Sequence, residues 1–258
     1  CGVAGTKPGS GVTSIGLRLG GSMSVVLIGG LDPLGRAGLL ADLEACRAWG
    51  VSPQVVCTAL TAQDDTRCAV EPVPSSFVAQ QLEVVLTQTQ PLVVKTGWVA
   101  SIEQLEVILS WLPETVKLVV DPLLTTSSGR AVFEGSCQSE PYRRLLCRAD
   151  VVLPNLDEAE ALLGAPIEDV TEAASALCAR GIKRLLLKGG HAPGAHITDL
   201  FMDDDGGIRF LRHERIPGRH RGTGCRLASA LAARLSTGGS FEEASVAAVG
   251  WLNEQLSR

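Results

Sequence analysis

The chain has 258 residues, of which 45% are hydrophobic, so it is long enough to bury a sizeable core in one α/β domain. Its 23 basic and 28 acidic residues give a net charge of −5, and only 4% of its residues are aromatic. These values argue against nucleic-acid binding, which needs basic patches and stacking side chains. The sequence also lacks the run of about eighteen apolar residues that predicts a membrane-spanning helix.

The first 22 residues are rich in Gly, Ser and Thr and contain no apolar block. They predict a flexible leader or an expression remnant rather than a secretory signal, followed by a single domain at residues 23–258. The eight cysteines form no CxxC pair and no zinc-like spacing, and several lie in apolar segments. A cytoplasmic, reducing environment is the simplest interpretation.

Short apolar runs alternate with amphipathic stretches along most of the domain. The runs predict strands at 24–29, 54–58, 92–95, 117–120, 150–153 and 184–187, and the amphipathic stretches predict helices at 36–49, 76–89, 102–112, 157–163 and 171–180. This alternation indicates a parallel sheet covered by helices on both faces. Segments 200–202 and 208–211 predict a hairpin around the acidic triplet 203–205, which is interpreted as a solvated turn. Helices at 223–235 and 241–256 are expected to close the chain.

Polar or glycine-rich segments follow the predicted strands at six places. In an open α/β sheet, ligands bind outside the carboxyl ends of the strands. The sequence therefore predicts a binding crevice at this edge of the sheet. The six segments are Gly29-Gly30-Leu31-Asp32, Thr61-Ala62-Gln63, Lys95-Thr96-Gly97-Trp98, Asp121-Pro122, Pro154-Asn155 and Lys188-Gly189-Gly190.

A Gly-Thr-Gly-Cys motif at residues 222–225 begins a predicted helix. Gly222, Thr223 and Gly224 would turn backbone N–H groups toward an anion, and the helix dipole favours negative charge there. The same field is expected to lower the pKa of the Cys225 thiol, which could then take a proton from an attacking hydroxyl. The alternative is a glycine-containing turn beside a buried cysteine.

Several charged or polar residues each have two interpretations. Asp42, on the apolar flank of its helix, either accepts a hydrogen bond from a heterocycle's amino group or extends toward water. Asn155 and Glu158 either hold Mg²⁺ beside phosphates or form a capping box, which their spacing alone favours. Lys188 either neutralises a phosphate or ends a strand, and Asp121 either holds a metal or caps a turn. The four histidines show no metal-ligand spacing and are interpreted as surface or loop residues.

From about residue 25 to residue 235 the chain resembles the hydroxymethylpyrimidine and phosphomethylpyrimidine kinases of thiamin biosynthesis, in the ribokinase-like superfamily. The resemblance implies a three-layer α/β/α fold with a mostly parallel central sheet, and ATP and Mg²⁺ as cofactors. The matching segments, in the same order, are GLDPLGRAGLLADLEACRAWGV, TALTAQ, VKTGW, VVDPLL, VLPNLDEAEALLG, LLLKGGH and GTGCRLASALAA.

By position, the resemblance assigns each candidate residue a role. Gly30, Asp42 and Gln63 would bind the pyrimidine, and Trp98 and Leu123 would wall its ring. Asp121 and Glu158 would order Mg²⁺, Asn155, Lys188 and Gly224 would bind the nucleotide, and Lys188 would also neutralise its phosphates. Gly222, Thr223 and Gly224 would form the anion hole, with Cys225 as the base.

The chain also departs from the family pattern. Leu34, Arg36 and Leu40 replace smaller or polar residues expected beside the substrate, Trp98 replaces Met, and Arg226 replaces Thr and is expected to add charge near the anion hole. These changes leave the alcohol open. The expected substrate is hydroxymethylpyrimidine, its monophosphate or both. The alternatives are a pyridoxal or pyridoxine kinase and a non-catalytic, pyrimidine-binding regulator. A homodimer packed through Trp49, Trp111 or Trp251 is a further expectation, although core burial explains these residues equally well.

Overall fold

The computed structural model describes residues 24–64, 67–124, 133–190, 194–218 and 220–257, so the expected leader lies outside the described residues. Nine strands lie within these ranges: β1 (Val25–Leu31), β2 (Gln54–Gln63), β3 (Cys68–Pro72), β4 (Val93–Thr96), β5 (Lys117–Val120), β6 (Val151–Val152), β7 (Leu185–Leu187), β8 (His196–Met202) and β9 (Ile208–Glu214). They form one sheet in the order β3-β2-β1-β4-β5-β6-β7-β8-β9. Six neighbouring strands run parallel, namely β2, β1, β4, β5, β6 and β7, whereas β3, β8 and β9 are antiparallel to their neighbours.

Helices cover both faces of the sheet and complete the three-layer α/β/α fold. The helices are α1 (Gly38–Ala48), α2 (Ser75–Gln88), α3 (Ile102–Trp111), α4 (Glu140–Arg148), α5 (Leu156–Leu163), α6 (Val170–Ala179), α7 (Thr223–Ser236) and α8 (Phe241–Leu256). Helices α2 to α6 bury their apolar side chains in one core, and α1, α7 and α8 bury theirs in the other. Along β1, Val26 and Ile28 enter the first core while Val25 and Leu27 enter the second, as the two-residue period of a strand requires. The predicted ribokinase-like fold is therefore confirmed.

Two elements escaped the sequence analysis. Strand β3 is short, ends in a proline and pairs only with β2, so it carries little of the apolar pattern of a buried strand. Helix α4 is mostly polar, but Tyr142, Leu145 and Leu146 give it a narrow buried face at helical spacing. The predicted hairpin is present and longer than expected, and its turn holds Asp203 and Asp204 against Arg184. No helix in the described part of the chain is long and apolar enough to cross a membrane.

Helix α7 fixes the position of the Gly-Thr-Gly-Cys motif. Most of its residues are buried, and many of them are alanines that let the helix lie close against β1, β4 and helix α1. Strand β1 changes its register with β2 between Gly29 and Gly30, where it enters the predicted crevice. The two glycine-rich segments are thereby brought to one edge of the sheet.

Candidate active site

A cavity of about 740 Å³ lies at the carboxyl ends of the parallel strands. A crevice at this edge was predicted, and its size suits a small-molecule site. Residues from all six predicted segments line it, together with the Gly-Thr-Gly-Cys motif. They include Gly30, Asp32, Thr61, Gln63, Lys95, Trp98, Asp121, Asn155, Lys188, Gly190, Gly222, Thr223, Gly224 and Cys225.

Asp42 lies at the floor of the cavity in a buried ion pair with Lys95. The Lys95 Nζ atom lies 3.0 Å and 2.9 Å from the two carboxylate oxygens, and Ser229 donates a hydrogen bond of 2.7 Å to one of them. All three side chains are buried. Burial alone would lower the pKa of Lys95, but the Asp42 carboxylate outweighs it and raises that pKa. The partner that a buried Asp42 requires is therefore Lys95, which leaves further lone pairs of the carboxylate for a ligand.

The other wall of this part of the cavity is apolar. Trp98 packs with Ala59, Val70 and Leu123 in a small cluster separate from the two main cores. The Trp98 ring lies so close to Gly30 that a Cβ there would come within 2.8 Å of ring atom Cε3. A flat apolar slot with Asp42 and Gln63 at its polar edge suits a small nitrogen heterocycle.

The Gly-Thr-Gly-Cys motif forms an anion site at the start of α7. Gly222 adopts φ 70°, a left-handed conformation that favours glycine, and the first helical hydrogen bond joins the Arg226 N–H to the Gly222 carbonyl at 2.9 Å. The N–H groups of Thr223, Gly224 and Cys225 therefore precede the helical hydrogen-bond ladder. Gly224 lies beside Lys188, because a Cβ there would be 3.2 Å from the Lys188 Nζ atom. Backbone donors and a lysine thus converge on one point.

Lys188 lies between two buried carboxylates. Its Nζ atom is 2.7 Å from Asp121 Oδ1 and 3.7 Å from Glu158 Oε2. Asn155 and Glu158 form the capping box of α5, with reciprocal hydrogen bonds of 2.8 Å. Burial raises the pKa of Glu158 to about 7, although Lys188 acts in the opposite direction. The prediction that Asn155 and Glu158 form a capping box is confirmed. Both residues also line the cavity.

The carboxylates of Asp121 and Glu158 fit a magnesium ion. Mg²⁺ prefers oxygen ligands and is usually held by one or two carboxylates together with substrate phosphates. Both carboxylates lie next to the anion site, where phosphates would bind. Among the described residues, no group of three or more potential ligands forms a protein-only metal site. The residues therefore suit a cation that a nucleotide brings with it.

Cys225 lies where the two parts of the cavity meet. Its side chain is buried, and Lys95 and Gly38 line the same part of the cavity. Burial nevertheless raises the pKa of the thiol to about 11, because desolvation outweighs the attraction of Lys95 and the Gly38 N–H. The predicted lowering of this pKa is wrong. The thiol keeps its proton near neutral pH in the free protein.

Some of the residues that depart from the family pattern do not lie where they were predicted. Leu34 and Arg36 in the loop and Leu40 in the first turn of α1 have exposed side chains and do not line the cavity. The Arg226 guanidinium does not offer a free charge to the anion site, because its N–H groups bind backbone carbonyls and Glu44. Among the residues that depart from the family pattern, Trp98 does line the cavity and shape it.

The sequence analysis placed Lys95 in the predicted crevice without a role, and it missed Ser229 and His213 as contributors to the site. Lys95 and Ser229 hold Asp42, but no spacing rule connects residues 53 and 187 positions away from it. His213 was interpreted as a surface or loop residue, and this is wrong. Its ring is largely buried at the end of β9 and lies 3.2 Å from Asp199, which also accepts a 2.8 Å hydrogen bond from the Gly189 N–H. The one available signal was Lys95 itself, a charged residue inside the apolar run of β4.

A sheet covered on both faces, with a heterocycle-sized slot next to an anion site, is typical of ribokinase-like small-molecule kinases. The family model for phosphomethylpyrimidine kinase matches residues 32–258. The chain belongs to the phosphomethylpyrimidine kinase family.

Three related proteins illustrate the relationship. The chain is 40% identical to a thiamine biosynthetic bifunctional enzyme of Arabidopsis thaliana, with 84% of this chain and 43% of that protein covered. It is 38% identical to a hydroxymethylpyrimidine/phosphomethylpyrimidine kinase of Rhizobium meliloti, with 89% of each covered. The pyridoxal kinase of Staphylococcus aureus, solved with AMP-PCP and pyridoxal, matches with a TM-score of 0.78 at 28% identity over 90% of this chain and 87% of that one. The chain spans less than half the length of the bifunctional plant relatives.

Proposed function

We propose that this protein transfers the γ-phosphoryl group of ATP to hydroxymethylpyrimidine, to its monophosphate, or to both. The observation that carries the proposal is the position of Cys225. It joins a heterocycle slot built by Asp42, Gln63 and Trp98 to an anion site built by Gly224 and Lys188. An alcohol bound in the slot would meet a phosphate bound at the anion site next to this thiol.

In the slot, Asp42 and Gln63 would hold the polar edge of the pyrimidine. Asp42 would accept a hydrogen bond from the ring's amino group, while hydrogen bonds from Lys95 and Ser229 hold its carboxyl group in place. Trp98 and Leu123 would cover the ring, and the absence of a Cβ at Gly30 gives the Trp98 indole room to lie close to β1. Fixing the alcohol next to the phosphate supplies much of the rate acceleration in reactions of this kind.

At the anion site, the N–H groups of Thr223 and Gly224 would bind the transferred phosphoryl group, and Lys188 would neutralise its charge. Phosphoryl transfer needs mainly positioning and charge stabilisation. Asn155 would bind the nucleotide, and Asp121 and Glu158 would hold Mg²⁺, which when bound neutralises phosphate charge. Cys225 would first lose its thiol proton to solvent, which the neighbouring Lys95 favours, and the thiolate would then take the alcohol's proton as the new P–O bond forms and ADP leaves.

A pyridoxal or pyridoxine kinase is the second candidate, and the Staphylococcus aureus structure supports it. Trp98 argues for the smaller ring, because its indole fills space next to Gly30 that a more heavily substituted pyridine would need. Because Met is the residue of the family pattern, we expect Trp98→Met to change the KM for hydroxymethylpyrimidine less than about threefold and to improve turnover of pyridoxal roughly tenfold, as expected for small changes in an apolar pocket. Steady-state kinetics on both alcohols check this, with Trp111→Phe on the exposed end of α3 as the matched control. An unchanged preference would remove Trp98 from substrate selection.

The function itself is tested by ADP release from Mg-ATP with hydroxymethylpyrimidine, its monophosphate, pyridoxal and pyridoxine offered in parallel. Turnover of the pyrimidines supports the proposal, whereas turnover of only the pyridines would identify the enzyme as a pyridoxal or pyridoxine kinase. Folded protein that binds a pyrimidine but consumes no ATP would be the non-catalytic regulator. The Lys188, Asp121 and Glu158 cluster argues against a regulator, since ring binding requires none of them.

Location and assembly stay predictions. A cytoplasmic location fits the free thiols of the six cysteines whose side chains the structure describes, whereas the plant relatives are named as chloroplastic. Trp111, at the end of α3, is the most exposed of the three tryptophans considered for a homodimer, and Trp49 and Trp251 pack against the core of α1, α7 and α8. Sedimentation velocity of the purified protein measures the assembly directly.

A further inference from the structure

Arg226 connects three separate segments beside the anion site. Its Nη1 atom donates to the carbonyls of Arg36 at 3.0 Å and Arg221 at 3.1 Å, and its Nη2 atom donates to the carbonyl of Gly35 at 3.4 Å. The Nε and Nη2 atoms also bind Glu44 Oε2 at 3.2 Å and 2.8 Å. One side chain on α7 thus holds the loop of residues 32–37, the segment before the anion site, and helix α1.

The 32–37 loop is closed on itself and pressed against the anion site. Asp32 accepts hydrogen bonds of 3.1 Å from the N–H groups of both Leu34 and Ala37. The loop backbone touches Gly222 so closely that a Cβ on Gly222 would come within 2.3 Å of the Arg36 carbonyl oxygen. The loop therefore packs as a unit on the first turn of α7.

The loop leads directly into the proposed reaction centre. Gly38, the first residue of α1, follows the loop and lines the cavity together with Cys225. The loop also presses on Gly222, which lies three residues before Cys225 at the start of α7. A shift of the loop would therefore move one wall of the cavity and the first turn of α7, which carries the buried Cys225 thiol.

We propose that Arg226 is a positioning residue that fixes the 32–37 loop on the first turn of α7 and thereby keeps the Cys225 thiol in that turn buried and in place. Only the kinetic consequence of this inference rests on the proposed kinase function. The position of the loop and the burial of the thiol can be tested without enzyme turnover.

An arginine is required for these contacts. The planar guanidinium offers five N–H donors and reaches three carbonyls and a carboxylate at once, whereas a lysine offers one compact ammonium group. The ion pair with Glu44 contributes less to holding the loop than the hydrogen bonds to the carbonyls do, because Glu44 is 63% exposed and surface ion pairs contribute little. We therefore expect Glu44→Gln to behave nearly as the wild type, and Arg226→Lys to lie between the wild type and Arg226→Ala.

The experiment compares Arg226→Ala, Arg226→Lys and Glu44→Gln with the wild type. Arg234→Ala is the matched control, since it removes an arginine from the far end of α7, where that side chain binds only Thr237 among the hydrogen bonds described. Two quantities are measured: kcat and KM for alcohol and ATP, and the rate at which iodoacetamide labels Cys225, followed by peptide mass spectrometry. Exposed Cys147 serves as the internal reference for labelling.

We expect Arg226→Ala to lower kcat by roughly 10- to 100-fold with a small change in the KM for ATP, since small misplacements have effects of this size. Labelling of Cys225 should accelerate several-fold while labelling of Cys147 stays constant. Wild-type labelling of Cys225 in both Arg226 variants would overturn the proposal, whatever the kinetics. A raised KM for ATP without faster labelling would also overturn it, because Arg226 would then act directly on the phosphates. If the wild type turns over none of the alcohols, the proposed function fails and the labelling comparison still decides the role of Arg226.

Discussion

Replacing Cys225 with alanine is expected to lower kcat about 100-fold and to leave the Kd for the pyrimidine nearly unchanged. A general base contributes roughly 10²- to 10⁴-fold, and the lower end applies here because burial raises the pKa of this thiol to about 11. The proposed ring contacts lie on Asp42, Gln63 and Trp98, so pyrimidine binding should not depend on the sulfur. Single-turnover phosphorylation and calorimetric binding of the alcohol measure the two quantities separately.

Cys225→Ser distinguishes proton transfer from simple hydrogen bonding. A serine hydroxyl can still form hydrogen bonds at this position, but it is a much weaker acid than a thiol and does not form the anion that could take the alcohol's proton. We expect Cys225→Ser to be nearly as slow as Cys225→Ala. Turnover near the wild-type value in either variant would show that Cys225 is not the base.

The second large effect is expected for Asp42→Asn, which should weaken both pyrimidine binding and the fold. The substitution removes the negative charge that pairs with Lys95, and each of these side chains is only 1% exposed. Leaving one member of a buried pair without its partner typically costs about 3–5 kcal/mol. Urea unfolding measures the loss of stability, and calorimetric titration with the alcohol measures the loss of affinity.

Two further variants separate these effects. Ser229→Ala removes one hydrogen bond to Asp42 but keeps the ion pair, so it should cost only about 1 kcal/mol. Asp42→Asn combined with Lys95→Met removes the uncompensated charge and should recover much of the stability without recovering the affinity. If the double variant also binds the pyrimidine normally, Asp42 does not contact the substrate.

The layered fold and the edge that carries the site could be predicted because they depend on local patterns. Continuous apolar runs such as Lys117–Val120 record burial on both faces of the sheet, and glycine or polar residues directly after the runs mark the strand ends. Strand β3 and helix α4 could not be found in this way. Their stability comes from contacts with β2 and with α3, respectively, and their own sequences show only part of the pattern.

The chemistry inside the site depended on contacts between distant residues, which one sequence does not reveal. The ion pair of Asp42 with Lys95 joins α1 to β4, and the contacts of Arg226 join α7 to a loop about 190 positions earlier. The pKa of Cys225 was predicted in the wrong direction for the same reason. A helix start is visible in the sequence, but the depth at which the fold buries the thiol is not.

The most direct test of phosphoryl transfer at this site is mass spectrometry of the product formed from hydroxymethylpyrimidine and Mg-ATP, with Lys188→Met run beside the wild type. We predict that the wild type adds at least one phosphoryl group to the pyrimidine and that the variant forms product at least 100-fold more slowly, as loss of a major charge-stabilising group implies. Folded wild-type protein that leaves the pyrimidine unmodified, or a Lys188→Met variant that phosphorylates it at the wild-type rate, would contradict the assignment of this cavity as a kinase active site.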